Sequence, residues 1–158
     1  MINYQKILDK TIEQHIKNGE TPTLLLHACC APCSSHCIEY LSQFFEITIF
    51  YYNPNITEEP EYRKRVAEEQ RLISKLPAKN KISFIEGKYD PERFFEMAKG
   101  KEDIPEGGAR CFDCYRLRIA ETADIAKEKG IKNISKYKKE SLRVLLNGYK
   151  YSKILISN

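Results

Sequence analysis

Apolar positions along this chain switch period several times, and the switches outline its elements. Tyr4, Ile7, Leu8, Ile12 and Ile16 keep helical spacing up to Gly19, which predicts an amphipathic helix with a glycine stop. Leu24 to Ala28 is a short continuous apolar run and predicts a buried strand. Ser34 or Ser35 suits the N-cap of a helix reaching Phe44 or Phe45, with Ile38, Leu41 and Phe45 on one side. The stretch EITIFYYNPNI, residues 46–56, is β-branched and aromatic up to an Asn-Pro turn and predicts a second strand. Glu58 to Leu76 predicts a charged helix that turns Tyr62, Val66, Ile73 and Leu76 towards a core, and KISFIEG, residues 81–87, a third strand. Asp90 and Pro91 suit the N-cap and first turn of a helix that stops at Gly100. Leu117, Ala120, Ala123 and Ala126 then repeat at helical spacing until Gly130.

Strands alternating with helices imply an α/β fold whose parallel sheet is joined by right-handed crossovers. In such sheets ligands gather at the carboxyl ends of the strands, near the switch in strand order. Cys29 and Cys30 follow the first strand directly, and Asn53 and Asn55 follow the second. The expected organisation is one α/β unit over residues 1–130, with residues 131–158 as a basic, divergent segment rather than a separate domain.

The 158-residue length allows a real hydrophobic core without staples. Residues 1–20 are polar and charged, unlike a secretory leader, and no apolar stretch approaches the roughly 18 residues a membrane helix needs. The expected compartment is therefore the cytoplasm, with no membrane partner and with thiols kept reduced. Charge is uneven: residues 131–158 carry seven Lys or Arg against the single Glu140. With Tyr137, Tyr149 and Tyr151 interspersed, this segment has the makings of a nucleic-acid contact, although a solvated lysine-rich surface accounts for the same pattern.

The cysteines carry the chemistry. LLLHACCAPCSSHC, residues 24–37, holds Cys29, Cys30, Cys33 and Cys37; GGARCFDC, residues 107–114, adds Cys111 and Cys114 at the head of a helix. Both groups sit near helix N-termini, where the dipole is expected to lower thiol pKa values and favour anions. Cys37, one turn into its helix, reads as core filler. A structural zinc site on Cys30, Cys33, Cys111 and Cys114 has 77 residues between its halves, far beyond the ribbon spacing of roughly 15–20. A thioredoxin-like thiol-disulfide oxidoreductase fits Cys30-Ala-Pro-Cys33 between strand and helix, but ignores Cys29 and the second pair. An iron–sulfur cluster takes four thiolates from separate stretches and leaves a fifth sulfur for another task. Spacing favours the cluster while leaving zinc and thiol redox open.

HACCAPCSSHCIEYLS, YYNPNITEEPEYRKR and PEGGARCFDCYRLRIAETA together resemble the QueH family of epoxyqueuosine reductases, in order and over about residues 21–130. The resemblance implies a three-layer, mostly parallel, Rossmann-like sheet of the adenine-nucleotide-hydrolase-like kind. It also implies reduction of epoxyqueuosine to queuosine in the wobble nucleotide of tRNA, a [4Fe–4S] cluster, and an adjacent iron, or zinc in an air-exposed preparation. Carried over by position, Cys29, Cys30, Cys111 and Cys114 hold the cluster, and Cys33 helps to hold the second metal and so joins the catalytic residues.

Loss of the epoxide oxygen takes two electrons and two protons, so an electron donor and a proton donor are required. Tyr51, Tyr52, Tyr115 and His27 are candidate proton donors if they face the cleft, and Tyr115 joins Cys33 among the expected catalytic residues; for His27, a strand-end histidine satisfied by the backbone is an equal account. Asn53 and Asn55 are expected to read the modified base or its diol, and Arg110, Arg116 and Arg118 to bind anticodon phosphates. A metal-stabilised RNA-binding module without catalysis is the other class of reading. After Gly130 the chain departs from the family, whose members continue with a Thr-rich strand, further helices and a Cys-Gly-Cys element. Here LRVLLNGYKYSKILI, residues 142–156, suggests a hairpin around Asn147-Gly148. A shortened or divergent end is expected to leave a sheet edge and part of the site exposed.

Overall fold

The computed structural model describes residues 4–131 and 152–156. In chain order the elements are α1 (Tyr4–Asn18), β1 (Thr23–Ala28), α2 (Ala31–Leu41), β2 (Glu46–Tyr51), α3 (Glu59–Lys75), β3 (Ile82–Glu86), α4 (Pro91–Ala98), α5 (Ala109–Glu128) and β4 (Ser152–Ile156). Strands run in the order β3-β2-β1-β4. β1, β2 and β3 are parallel neighbours, with Leu24 opposite Ile47 and Ile47 opposite Ile82.

Side-chain alternation along the two central strands makes three layers. Leu24, Leu26 and Ala28 of β1 join Ile47, Ile49 and Tyr51 of β2 on one face, where Ile12 of α1, Ile38 and Leu41 of α2, and Tyr62 and Val66 of α3 cover them. Leu25 and Phe50, with Tyr52 just past β2, turn to the other face and pack against Ala126 and Ile125 of α5. α4 lies beside α5. Burial on both faces explains why β1 reads as an unbroken apolar run rather than an alternating one. Cys37 packs against the first of these clusters, as filler would.

The fourth strand departs from expectation. β4 pairs antiparallel with β1, Leu25 opposite Leu155 and His27 opposite Lys153, so β1 is not left as an open edge. The ladder groups of a central strand need partners on both sides, and a strand of either direction meets that need. The suggested hairpin turn at Asn147-Gly148 and the tyrosines at 137, 149 and 151 lie outside the described residues.

One glycine fixes how closely β3 approaches the sheet's carboxyl end. Gly87 donates its N–H to Tyr51 O at 2.8 Å, and its carbonyl accepts from Tyr62 Oη at 3.1 Å. A Cβ there would stand 2.9 Å from Tyr52 Cβ and 3.0 Å from Tyr51 O. Gly87→Ala is expected to destabilise the fold by about 1–3 kcal/mol through this overpacking. Urea unfolding measures it, and an unchanged midpoint would mean that β3 can move away at little cost.

Candidate metal centre

β1 ends at Ala28, and the chain turns into α2 through Cys29 and Cys30. Cys30 is the N-cap, with extended backbone at φ −167° and ψ 154°, and Pro32 lies in the first turn. The expected Ser34 or Ser35 cap is thus overturned. Proline's fixed φ suits the first turn of a helix, which places the start one turn earlier. Ser34 instead donates to Glu69 Oε1 of α3 at 2.6 Å. The earlier start brings three sulfurs together: those of Cys29, Cys30 and Cys33 all lie within 4.8 Å of one another, with Cys29 and Cys30 Sγ 3.9 Å apart.

Cys29 and Cys33 do not have the lowered pKa values expected from helix dipoles. Burial, then the neighbouring Cys30 and Cys33, hold the Cys29 thiol well above its ordinary range, and the Arg118 guanidinium opposes this only in part. Cys33 is raised by burial and by its hydrogen bond with Cys30. Desolvation and mutual repulsion outweigh a partial helix charge when three sulfurs crowd together. Crowding of this kind is relieved by a bound cation, which takes thiolates outright. The donor set of soft sulfurs therefore fits a zinc or iron centre.

The second cysteine group reaches the same place from α5. A cleft of about 420 Å³ is lined by Cys29 and His27 from the end of β1 and by Cys111, Cys114, Tyr115 and Arg118 from α5. Asn55, Phe94 and Arg110 complete its wall. The four α5 residues stand at positions i, i+3, i+4 and i+7, one face of a helix. Gly108 N-caps α5, and the Gly107 N–H donates to Cys111 Sγ at 3.3 Å. Cys29 thus belongs both to the sulfur triad and to the cleft.

Other expected site residues are placed variously. Asn55 is exposed at the cleft, whereas Asn53 is 1% exposed, donating from Nδ2 to Ala28 O at 3.0 Å and accepting from Arg118 Nη1 at 3.0 Å. Both ends of the Asn53 amide are therefore engaged inside the protein, tying β1 to α5. Arg110 lines the cleft and donates to Glu102 O, while Arg116 has 77% of its side chain exposed and pairs with Asp113. Arg118 is turned inward, with its guanidinium carbon 5.1 Å from the centre of the Tyr115 ring. Tyr51 and Tyr52 are core residues and not part of the cleft wall: Tyr51 donates to Cys29 O, and Tyr52 stacks on Phe50. Burial raises the pKa of both phenols. His27 lines the cleft and donates Nε2–H to Tyr52 O at 2.7 Å, the backbone-satisfied arrangement.

Glu69 was not singled out by the sequence, since it reads as one of many charges on α3. It is fully buried, bonded through Oε1 to Ser34, while Oε2 has no partner. Burial raises its pKa above the ordinary 4.5, against the smaller opposite effect of Ser34. Between 4.5 and that raised value the folded protein binds more protons here than the unfolded chain does, so stability falls as pH rises through the window. Glu69→Gln keeps an acceptor for Ser34 and removes the titration. The metal-free variant is expected to lose this decline in thermal unfolding temperature between pH 4.5 and neutrality; an identical pH profile for the two proteins would refute the assignment.

No described helix is long and apolar enough to cross a membrane. The sequence profile for epoxyqueuosine reductase QueH matches residues 24–142. Among curated relatives, epoxyqueuosine reductase QueH of Staphylococcus epidermidis is 41% identical over 133 residues, covering 82% of this chain and 56% of the relative. The protein of the same name from Streptococcus pyogenes serotype M1 is 38% identical over 131 residues, with 82% and 51% covered. That from Haemophilus influenzae is 43% identical over 108 residues, with 68% and 42% covered. The chain spans about half the length of the curated relatives it matches. A shared profile over most of the chain, with both cysteine groups inside the matched stretch, makes this chain a member of the QueH family of epoxyqueuosine reductases.

Proposed function

We propose that this chain reduces epoxyqueuosine to queuosine in the wobble nucleotide of tRNA, using a [4Fe–4S] cluster and an adjacent iron. The observation that carries the reading is that Cys29 shares a cleft with Cys111 and Cys114, although more than eighty residues separate them in sequence. Cys29, Cys30, Cys111 and Cys114 are the proposed cluster ligands, with Cys33 of the sulfur triad on the second metal. When bound, such a centre supplies electrons and a Lewis acid for an oxygen that gains negative charge.

The reaction breaks both C–O bonds of the epoxide, consumes two electrons and two protons, and releases water with the alkene. The chain's own residues supply the surroundings. Tyr115 Oη is the proposed proton donor on the cleft wall. Phe94 offers an apolar face against which an unstacked base can lie and from which water is excluded. Asn55 is exposed and has both donor and acceptor for a diol or base edge, and Arg110 at the wall and Arg116 outside it are available to phosphates. Asn53 holds the end of β1 against α5 and so sets the width of the cleft.

The test is anaerobic reconstitution of the chain, analysis of iron and sulfide, and incubation with epoxyqueuosine-containing tRNA and a low-potential reductant. About four to five irons per chain and mass-spectrometric conversion of the nucleoside are expected. Zinc uptake without iron, together with tRNA binding but no conversion, would replace the enzyme reading with that of a metal-stabilised RNA-binding module.

A further inference from the structure

Arg118 differs from the ion-paired arginines in being buried. Arg63, Arg65, Arg93 and Arg116 all form ion pairs with carboxylates at or near the surface. Arg118 is 9% exposed, and among the described residues it pairs with no carboxylate. Its Nη1 donates to the neutral Asn53 amide at 3.0 Å, and its Nε is buried without a hydrogen-bond partner. The Tyr115 ring beside the guanidinium offers only a quadrupole. A guanidinium cannot shed its charge by deprotonation in a protein, so a buried one without a counter-ion is strongly unfavourable. Its position one turn beyond Cys114, on the face of α5 that lines the cleft with Cys29 and Cys111, supplies the missing anion in the form of metal-bound thiolates.

We propose that Arg118 is the built-in counter-cation of the metal–thiolate centre, stabilising its negative charge and raising the potential at which it accepts an electron. This rests on the reading of the cleft as an iron–sulfur site. Four thiolates on a cubane of iron and sulfide make a net anion, and each added electron makes it more negative. A fixed positive charge nearby favours the reduced form more than the oxidised one, since net charge and hydrogen bonding set cluster potentials. Asn53 is the strut that prevents the guanidinium from turning out to solvent, because it is itself held by Ala28 O. An RNA phosphate is the other anion that a cleft cation meets, and the experiment separates the two.

Arg118→Gln keeps a donor for Asn53 and removes the charge; Arg118→Lys keeps the charge. Anaerobic redox titration of the reconstituted chain is expected to show reduction of the Gln variant about tenfold less favourable, a fall of about 59 mV for one electron. The Lys variant should lie within about threefold of wild type. Cobalt(II) titration of the metal-free chains, followed by thiolate-to-metal absorption, gives a second readout: about tenfold weaker binding for Gln, largely restored by Lys. A Gln variant with wild-type potential and wild-type cobalt affinity overturns the proposal. So does a variant whose potential holds while its affinity for tRNA falls, which would assign Arg118 to phosphate. A wild-type chain that takes up neither iron nor cobalt instead removes the metal centre itself.

Discussion

Cys29→Ser is expected to abolish iron binding by the reconstituted chain and to lower conversion of epoxyqueuosine by at least about 100-fold, since even residues that merely support a metal ligand commonly cost 10–100-fold. The reason lies in the position of this one sulfur. It is 3.9 Å from the Cys30 sulfur, belongs to the triad with Cys33, and lines the cleft that Cys111 and Cys114 share. Losing it removes a donor from both groups at once. Serine's hydroxyl is a poor substitute, being harder than sulfur and difficult to ionise. The control is Cys37→Ser, because Cys37 packs against the core beyond the triad and should leave iron content unchanged. Iron and sulfide per chain, visible absorption and nucleoside analysis make the comparison. Full iron content in the Cys29 variant would remove this sulfur from the centre.

Asn53→Ala is expected to destabilise the metal-free fold by about 3–5 kcal/mol, the range reached when a buried carbonyl and a buried charged donor both lose their partner. Asn53 is the residue through which Ala28 O of β1 and Arg118 of α5 are joined, both bonds being 3.0 Å long. Alanine takes a donor from the buried Ala28 carbonyl and an acceptor from the buried guanidinium, and leaves a small void between them. Against a total stability of roughly 5–15 kcal/mol for a domain of this size, the loss is severe. Chemical denaturation of wild type and variant under chelating conditions measures it. A difference below about 1 kcal/mol would mean that water replaces the amide and that the strut is not rigid. Because the same bonds set the cleft's width, the variant should also bind cobalt more weakly per mole of folded protein.

Much of the architecture was legible before folding is considered. α1 with its Gly19 stop, the unbroken apolar β1, the Asn-Pro turn after β2 and the Pro91 start of α4 are set by neighbours within a few residues. Serine is a common cap, but Pro32 in the first turn of α2 sets its start at Cys30, one turn before Ser34. That single turn decides whether Cys33 stands near Cys29 and Cys30. Tyr51 and Tyr52 looked available for proton transfer by their place at a strand end, yet alternation sends one to each packed face. Glu69 and the inward turn of Arg118 carried no local signal, since a charge on an amphipathic helix ordinarily faces water.

By itself the sequence determined the repeating strand-and-helix order, the sulfur-rich ends of β1 and the head of α5, and the helical stripe on which Cys111, Cys114, Tyr115 and Arg118 stand. These are consequences of backbone periodicity and of side chains within one or two turns of each other. Only the tertiary structure decided that Cys29 meets Cys111 and Cys114 in one cleft, that β4 closes the free side of β1, and that a carboxylate and a guanidinium are buried near the sulfurs. Those meetings join segments far apart along the chain, and their geometry comes from crossovers and from packing both faces of the sheet, which no short stretch of residues encodes.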